Sequence, residues 1–370
     1  MSDFQARPAS TATRRALFQI HLWLGISLCL YVTVVCVSGA ALLFRIDFQR
    51  AAHPDLFTPA SPGPLTEAAT VLEEVRGAYP DSRVLGVAAP TTARPTYLAY
   101  IRRDGKLGTI FLDPVTAEIL GELPDRSPMR VVQDLHFSLL AGKTGEKAHG
   151  IAAVCLLGMC LTGLFLWWSG PDKWRRRLLV NFSRTWSRVL RDLHYAIGIW
   201  TVAWLAMWSV SGLYLLYPEP FHAAVNVVSP LAVSRAPQST PPDANFVEPP
   251  APRALIDGAQ SAVPADLFVA HVSLPSTESD AFLVLFSKRS PTPVADDLTR
   301  VYLDQYSGRV LETTRSSRGV GDLILGSMVP LHMATFGGRG VKAVWALFGL
   351  APAFLAATGF LLWWKRVVRR

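Results

Sequence analysis

Four uninterrupted apolar stretches constrain this chain more than any other feature. Ala16 to Phe44, Gly150 to Trp168, Tyr195 to Tyr217 and Ala343 to Trp364 contain no Asp, Glu, Lys or Arg. A helix of roughly 20 apolar residues crosses the ~30 Å hydrocarbon core of a bilayer, and each stretch is about that long or longer. Trp and Tyr cluster at their ends (Trp167 and Trp168; Tyr214 and Tyr217; Trp363 and Trp364), where amphipathic rings settle at the headgroup level. A cleaved signal peptide has an apolar core of only about 7–15 residues. The first stretch is about twice that, so it is read as a retained helix.

Charge fixes the orientation. The net charge is +8, and the excess sits at the ends of the apolar stretches. Arg7, Arg14 and Arg15 precede the first; Lys173, Arg175, Arg176, Arg177, Arg184, Arg188 and Arg191 separate the second and third; Lys365, Arg366, Arg369 and Arg370 follow the fourth. Four crossings put all three groups on one side, which the positive-inside rule makes cytoplasmic. Anchoring in membrane lipid explains this distribution; nucleic-acid binding does not. The chain then divides into helix 16–44, outer domain 45–147, helix 148–168, basic cytoplasmic loop 169–193, helix 194–217, outer domain 218–340 and helix 341–364. Cys29, Cys36, Cys155 and Cys160 all lie in apolar stretches. The outer domains therefore have no disulfide framework, and the thiols read as small packing residues.

The sequence repeats itself. A shift of 173 residues places His21, Gly25, Ser38, Gly39 and Leu43 on His194, Gly198, Ser211, Gly212 and Leu216. A shift of 196 places Leu135, His136, Gly142, Thr162, Gly163 and Leu166–Trp168 on Leu331, His332, Gly338, Thr358, Gly359 and Leu362–Trp364. The chain is thus helix, outer domain, helix, twice over. Both halves begin on the same side, as parallel repeats do. The matched glycines and serines suit close helix packing. The expected fold is a membrane all-α four-helix bundle with two extracytoplasmic α+β domains, in two parallel internal repeats.

In the first outer domain, Leu65 to Tyr79 has helical apolar spacing and Pro80-Asp81 stops it. Strands are expected at Arg83–Ala88, Thr96–Arg102 and Gly108–Asp113, with turns at Asp104-Gly105 and Asp113-Pro114. In the second, Val301–Asp304 matches Ile110–Asp113. Pro230 to Pro252, rich in Pro, Ser and Ala, reads as an irregular linker.

Four of the eight histidines are related by the repeats. His21 and His194 fall at the cytoplasmic ends of the first and third helices; His136 and His332 fall just before the second and fourth, on the outer side. Each pair shares one depth. Haem b takes two axial imidazoles from opposite sides of its ring, and facing helices of a bundle supply them. Packing and interfacial roles are the alternatives for histidines near helix ends. Intramembrane ionisable groups are costly, however, and four at matched depths point to two haem sites with these residues as axial iron ligands. His149, matched to Trp345, is an alternative outer ligand, and short amphipathic helices at Val131–Leu140 and Leu331–Gly340 are expected to return His136 and His332 to the bundle. His53, His222 and His271 have no repeat partners. With no Cys-x-x-Cys-His, any haem is noncovalent; zinc-type His-x-x-x-His or Cys-x-x-Cys spacing is also missing. No Gly-x-Gly-x-x-Gly follows a strand and no cytoplasmic loop is long enough for a nicotinamide or flavin domain, so a quinol or a separate reductase has to deliver electrons.

The chain resembles the PepSY-associated transmembrane family from about Leu17 to Trp364. The resemblance rests on HLWLG at His21, HYAIG at His194, LHFSL around His136, LHM around His332, and GLFLWW and GFLLWW ending at Trp168 and Trp364. IFLDPVTAEIL from Ile110 and VYLDQYSGRVL from Val301 look like PepSY-domain hairpins, with Gln305 in place of Pro and Ala117 in place of Gly. Members of that family include inner-membrane ferric-siderophore reductases that hold two b haems, so the resemblance implies the haem role for His21, His136, His194 and His332 but does not fix the substrate. The preferred reading is such a reductase, with two noncovalent b haems, periplasmic PepSY-like domains and a ferric siderophore or other ferric chelate as substrate. The resemblance also admits a non-catalytic membrane sensor or peptidase regulator, or a haem electron-entry subunit for another periplasmic reductase.

Overall fold

The computed structural model describes residues 8–60, 62–124, 127–170, 174–231, 236–241, 249–288, 298–315 and 319–368. Arg7, Lys173, Arg369 and Arg370, counted above in the charge asymmetry, lie outside the described residues, as does much of the Pro230–Pro252 stretch. The chain separates into a helical unit (1–44, 128–218 and 328–370) and a sheet unit (45–127 and 219–327).

The helical unit contains four long helices: α1 (Pro8–Leu42), α5 (Gly142–Trp167), α6 (Trp186–Leu216) and α10 (Arg339–Val368). All four are long and apolar enough to cross a membrane. They coincide with the four apolar stretches and extend them into the flanking basic segments. α1 packs along α10 and α5, and α6 packs along α5 and α10. The last carbonyls of α5, left without intrahelical donors, are met by arginine. Arg14 donates to the Leu166 and Trp168 carbonyls at 2.7 and 3.3 Å, and Arg177 to those of Leu166 and Trp167 at 3.0 and 2.5 Å. Two guanidinium groups thus complete the negative end of the helix dipole. Neighbouring cations lie over rings: Arg177 over Tyr195, Lys365 over Trp186 and Arg366 over Phe18.

Two short helices lead into the long ones. α4 (Pro128–Ser138) precedes α5, and the chain reverses through Leu139, Leu140 and Gly142, all at positive φ. α9 (Val320–Met333) precedes α10. The Leu331–Gly340 segment, expected as a short helix, instead holds the turn. His332 occupies the last turn of a longer helix that starts upstream, and Ala334 at φ 52° begins the reversal. The apolar run Leu323–Leu331 carries that helix; periodicity centred on His332 did not reveal it.

The sheet unit departs more from expectation. The two connections, read as separate α+β domains, contribute four strands each to one antiparallel sheet of order β4-β3-β2-β1-β5-β6-β7-β8. The strands are β1 (Arg83–Ala88), β2 (Tyr97–Arg103), β3 (Lys106–Leu112), β4 (Ile119–Glu122), β5 (Leu267–Ser273), β6 (Phe282–Lys288), β7 (Thr299–Leu303) and β8 (Val310–Arg315). At the seam β1 pairs with β5, Gly86 opposite Ser273 and Ala88 opposite His271. Gly86 is needed there because a Cβ would overlap the Val272 carbonyl. α3 (Ala68–Ala78) and α8 (Pro252–Ser261) cover one face, burying Val71, Leu72, Val75, Leu255 and Ile256 with Ile101, Ile110, Phe282, Val301 and Leu303. The remaining helices of this unit are α2 (Arg45–Ala52) and α7 (Pro218–Val228).

Each outer hairpin is organised by one aspartate. The Asp113 carboxylate accepts from the amides of Ala60, Val115 and Thr116 at 2.7–3.0 Å; that of Asp304 accepts from Thr240, Tyr306 and Ser307 at 2.8–3.1 Å. Gly308 takes the left-handed position at φ 71°, and Ala117 adopts the same region at φ 63° in the other turn. Gln305, standing where Pro was expected, uses its amide to donate to the carbonyls of Thr277, Glu278 and Asp280. Both substitutions are accommodated without loss of the hairpin.

Burial pushes the Asp113 and Asp304 carboxyls up, but the amide donors outweigh it and hold both below the ordinary carboxylate range. A carboxyl depressed in the folded state stabilises above its unfolded value, near pH 4, and that contribution fades as pH falls through the lower folded value. Asp113→Ala should therefore lower stability by about 2–3 kcal/mol at pH 7, because three amides lose their acceptor. The deficit should shrink at pH 3, where the wild-type carboxylate is itself becoming protonated. Thermal melting of the two proteins at both pH values checks this; an equal deficit at both contradicts it.

Candidate functional site

The four repeat-related histidines all lie in the helical unit, and each is held in the same way. His21 Nδ1 meets Thr162 Oγ1 at 3.0 Å, and His194 Nδ1 meets Thr358 Oγ1 at 2.8 Å. His136 Nδ1 meets Ser38 Oγ at 3.2 Å, and His332 Nδ1 meets Ser211 Oγ at 2.9 Å. Every one of these hydroxyls also donates its proton to a carbonyl in the preceding turn of its own helix: Thr162 to Gly158, Thr358 to Leu355, Ser38 to Val34 and Ser211 to Met207, at 2.7–3.0 Å.

The hydrogen-bond network assigns the tautomer. A hydroxyl that spends its single proton on a carbonyl is an acceptor toward the imidazole, so Nδ1 carries the ring proton. For His136 the assignment is independent of the serine, since Nδ1 also lies 3.1 Å from the Val35 carbonyl, which can only accept. Nε2 then keeps its lone pair, the form in which imidazole binds a metal while its other nitrogen is anchored.

One matched pair of rings also meets directly. His136 and His332 have ring centres 6.5 Å apart. A metal between two imidazoles needs a bond of roughly 2 Å on each side, and each ring centre lies about 1 Å beyond its nitrogen, so the required spacing is roughly 6 Å. His21 on α1 and His194 on α6 are anchored by matched threonines of α5 and α10. Among the described residues no three His, Cys, Asp or Glu side chains gather at one point. The donor set therefore suits a macrocycle that brings its own equatorial nitrogens and asks two axial ligands of the protein. It does not suit a bare tetrahedral zinc ion. His21 and Ser38, which mark the two pairs on α1, are 17 residues apart, roughly 25 Å along a helix.

Glycine makes room for each ring. Gly163, Gly359, Gly39 and Gly212, each following the hydroxyl residue, face the Cε1 atoms of His21, His194, His136 and His332. An added Cβ would stand 3.2, 3.5, 2.8 and 3.6 Å from them respectively. In the sequence these Ser-Gly and Thr-Gly pairs were visible as repeat matches and were read as close helix packing. Their histidine contacts were missed because the partners lie on different helices. The recurrence of a hydroxyl-glycine dipeptide opposite every matched histidine was the available signal.

His149, the alternative outer ligand, is buried. Its Nδ1 lies 2.8 Å from the Tyr31 hydroxyl, and its Nε2 has no hydrogen-bond partner. Shifts of 173 and 196 residues relate Tyr31 and His149 to Trp204 and Trp345, which also form a ring pair, with centres 4.7 Å apart. Trp345 donates Nε1–H to the Leu331 carbonyl at 2.7 Å. The position is thus occupied by a packed aromatic pair in one half and by an imidazole–phenol pair in the other. Of the unmatched histidines, His271 lies in β5 beside Tyr100 and Arg94 of the sheet unit, remote in sequence from the four; His53 precedes the Pro54–Phe57 turn and His222 lies in α7.

The sequence profile described as the PepSY-associated TM region matches residues 18–366. The chain is also similar to an uncharacterized protein of Pseudomonas aeruginosa, 30% identical over 261 residues, which make up 63% of this chain and 62% of that protein. The match thus spans less than two thirds of that relative's length.

Proposed function

The chain belongs to the PepSY-associated transmembrane family, and from that premise we propose that it is a bacterial inner-membrane protein that holds two noncovalent b haems and passes electrons outward to ferric iron in a siderophore or similar chelate. One observation carries the reading: four imidazoles, each anchored through Nδ1 by a hydroxyl whose own proton goes to a helix carbonyl, present four free Nε2 atoms, two of them on rings whose centres are 6.5 Å apart. Haem bound there supplies one-electron transfer. His21 and His194 hold the cytoplasmic-side group, and His136 and His332 the periplasmic-side group. Thr162, Thr358, Ser38 and Ser211 fix ring orientation and keep the Nε2 lone pair available. The two halves are parallel repeats, and the strand-turn segments around Asp113 and Asp304 are PepSY-like. The termini and the basic loop carrying Arg175–Arg177 are cytoplasmic, following the distribution of positive charge. Electrons enter on that side from a quinol or a separate reductase. The ferric chelate is the substrate, and reduction releases iron because Fe(II) is held less tightly by hard oxygen ligands.

Anaerobic stopped-flow tests the activity. Protein reduced with dithionite and freed of excess reductant should be reoxidised on mixing with a ferric hydroxamate, and a ferrous-specific trap should capture the Fe(II) formed. A spectrum that stays reduced with every ferric chelate, yet is oxidised by a periplasmic partner protein, would replace this reading by the electron-entry one.

A further inference from the structure

The sheet unit contains a pocket of ≈ 390 Å³ that forms only where the two halves of the sheet meet. Arg76 and Tyr79 come from the end of α3, Ser82 and Arg83 from the start of β1, Pro275 from beyond β5, and Gln305 from the turn between β7 and β8. We propose that this pocket binds a small organic oxyanion, a compound bearing two or more carboxylate or phenolate groups, through Arg76 and Arg83. This site is separate from the histidine pairs and does not depend on the haem reading.

The arrangement of charge carries the proposal. Arg83 is the direct cross-strand partner of Arg102, and like charges directly opposite in a sheet are unfavourable. Arg76 adds a third guanidinium at the same end of the sheet. None of the three makes an ion pair among the described residues. Among the described residues, Arg83 donates to the Pro275 carbonyl at 2.9 Å and to no carboxylate. Asp280 feels the charge of Arg83 but forms no ion pair with it among the described residues, and its Oδ2 accepts from the amides of Ser276 and Thr277. Partial burial works against the charge on Arg76, and among the described residues no carboxylate pairs with it. An oxyanion between Arg76 and Arg83 would offset the mutual repulsion, because guanidinium matches carboxylate geometry in a two-pronged fashion.

The remaining lining suits the same ligand. The Gln305 amide is committed to three rim carbonyls, so the rim is fixed before binding. The Tyr79 phenol, kept protonated by burial, and the Ser82 hydroxyl offer neutral donors. The volume lies within the range of small-molecule sites. Such a ligand arrives either as a free organic acid or as the oxygen shell of a metal chelate.

Isothermal titration of the detergent-solubilised full chain with citrate, and separately with ferric citrate, distinguishes the two sources. Saturable binding of at least one is expected, weakened roughly tenfold or more in Arg76→Gln/Arg83→Gln and unchanged in Arg50→Gln, whose guanidinium bonds the Ala93 carbonyl and does not line the pocket. Binding of ferric citrate alone assigns the pocket to the chelate; equal binding of the free acid assigns it to the acid. In the wild-type protein, whose folding is not in question, the bound ligand should also shield Arg76 and Arg83 from an arginine-selective dicarbonyl reagent. No saturable heat from either compound at millimolar concentration together with no shielding overturns the proposal. Binding indifferent to the double substitution overturns it equally.

Discussion

His136→Ala should leave each chain with one haem in place of two, and His332→Ala should remove the same one. The two rings face each other at 6.5 Å on different helices, α4 and α9, with Nε2 free on both. His136 and His332 would hold the same haem, so removing either imidazole should weaken or empty the same site. His21→Ala and His194→Ala should remove the other haem. Pyridine haemochrome assay on purified, haem-supplemented variants measures the stoichiometry, and the optical spectrum identifies which site remains. His149→Ala should spare both haems, because the matched position in the other half is Trp345, which cannot ligate a metal. Loss of a haem in His149→Ala, with retention in His136→Ala, would move outer ligation from His136 to His149.

Gly39→Ala should damage the outer site nearly as severely, while the matched Gly212→Ala should not. A Cβ at Gly39 stands 2.8 Å from His136 Cε1, inside the closest approach of carbon atoms, and the adjoining Nδ1 is tied to Ser38 and Val35 of the same helix. Making room means rotating the imidazole, which breaks the Nδ1 hydrogen bonds and turns Nε2 from its axis. A misplacement of that order costs a metal ligand most of its affinity; losing only the hydrogen bond that orients the ligating imidazole costs roughly 10–100-fold. At Gly212 the same atom lies 3.6 Å from His332 Cε1, an ordinary van der Waals contact. Haem content and the reduced-minus-oxidised spectrum of the two variants provide the comparison. Equal haem loss in both would mean that the glycines act through general helix packing and not through the rings they face.

Much of this was legible in the residues. The four membrane-competent helices follow from unbroken apolar length, since a charged residue within such a stretch is costly and its absence is conspicuous. Strand β1 and the Asp104-Gly105 turn followed from alternation and turn chemistry; both turn residues adopt positive φ. The joining of both outer segments into one sheet was not legible. Pairing of β1 with β5 links residues almost 200 positions apart, and nothing local in Gly86–Ala88 or His271–Ser273 specifies an inter-segment edge. The only hint was Gly86, a glycine within a strand, which usually marks a close backbone approach. The α9 helix was misplaced because its apolar run hides any amphipathic period. The hydroxyl partners of the histidines were visible as repeats without a role, because a contact such as His21 to Thr162 crosses 141 residues and needs two helices already side by side.

The spectrum of the purified protein tests the central claim most directly. A pyridine haemochrome assay on a folded, haem-supplemented preparation should return b-type haem at about two per chain. The oxidised protein should also show the low-spin signature of two imidazole ligands at each iron. A well-folded chain that takes up no haem under these conditions would contradict the account, leaving the four anchored imidazoles as packing residues and the chain as a membrane sensor or regulator.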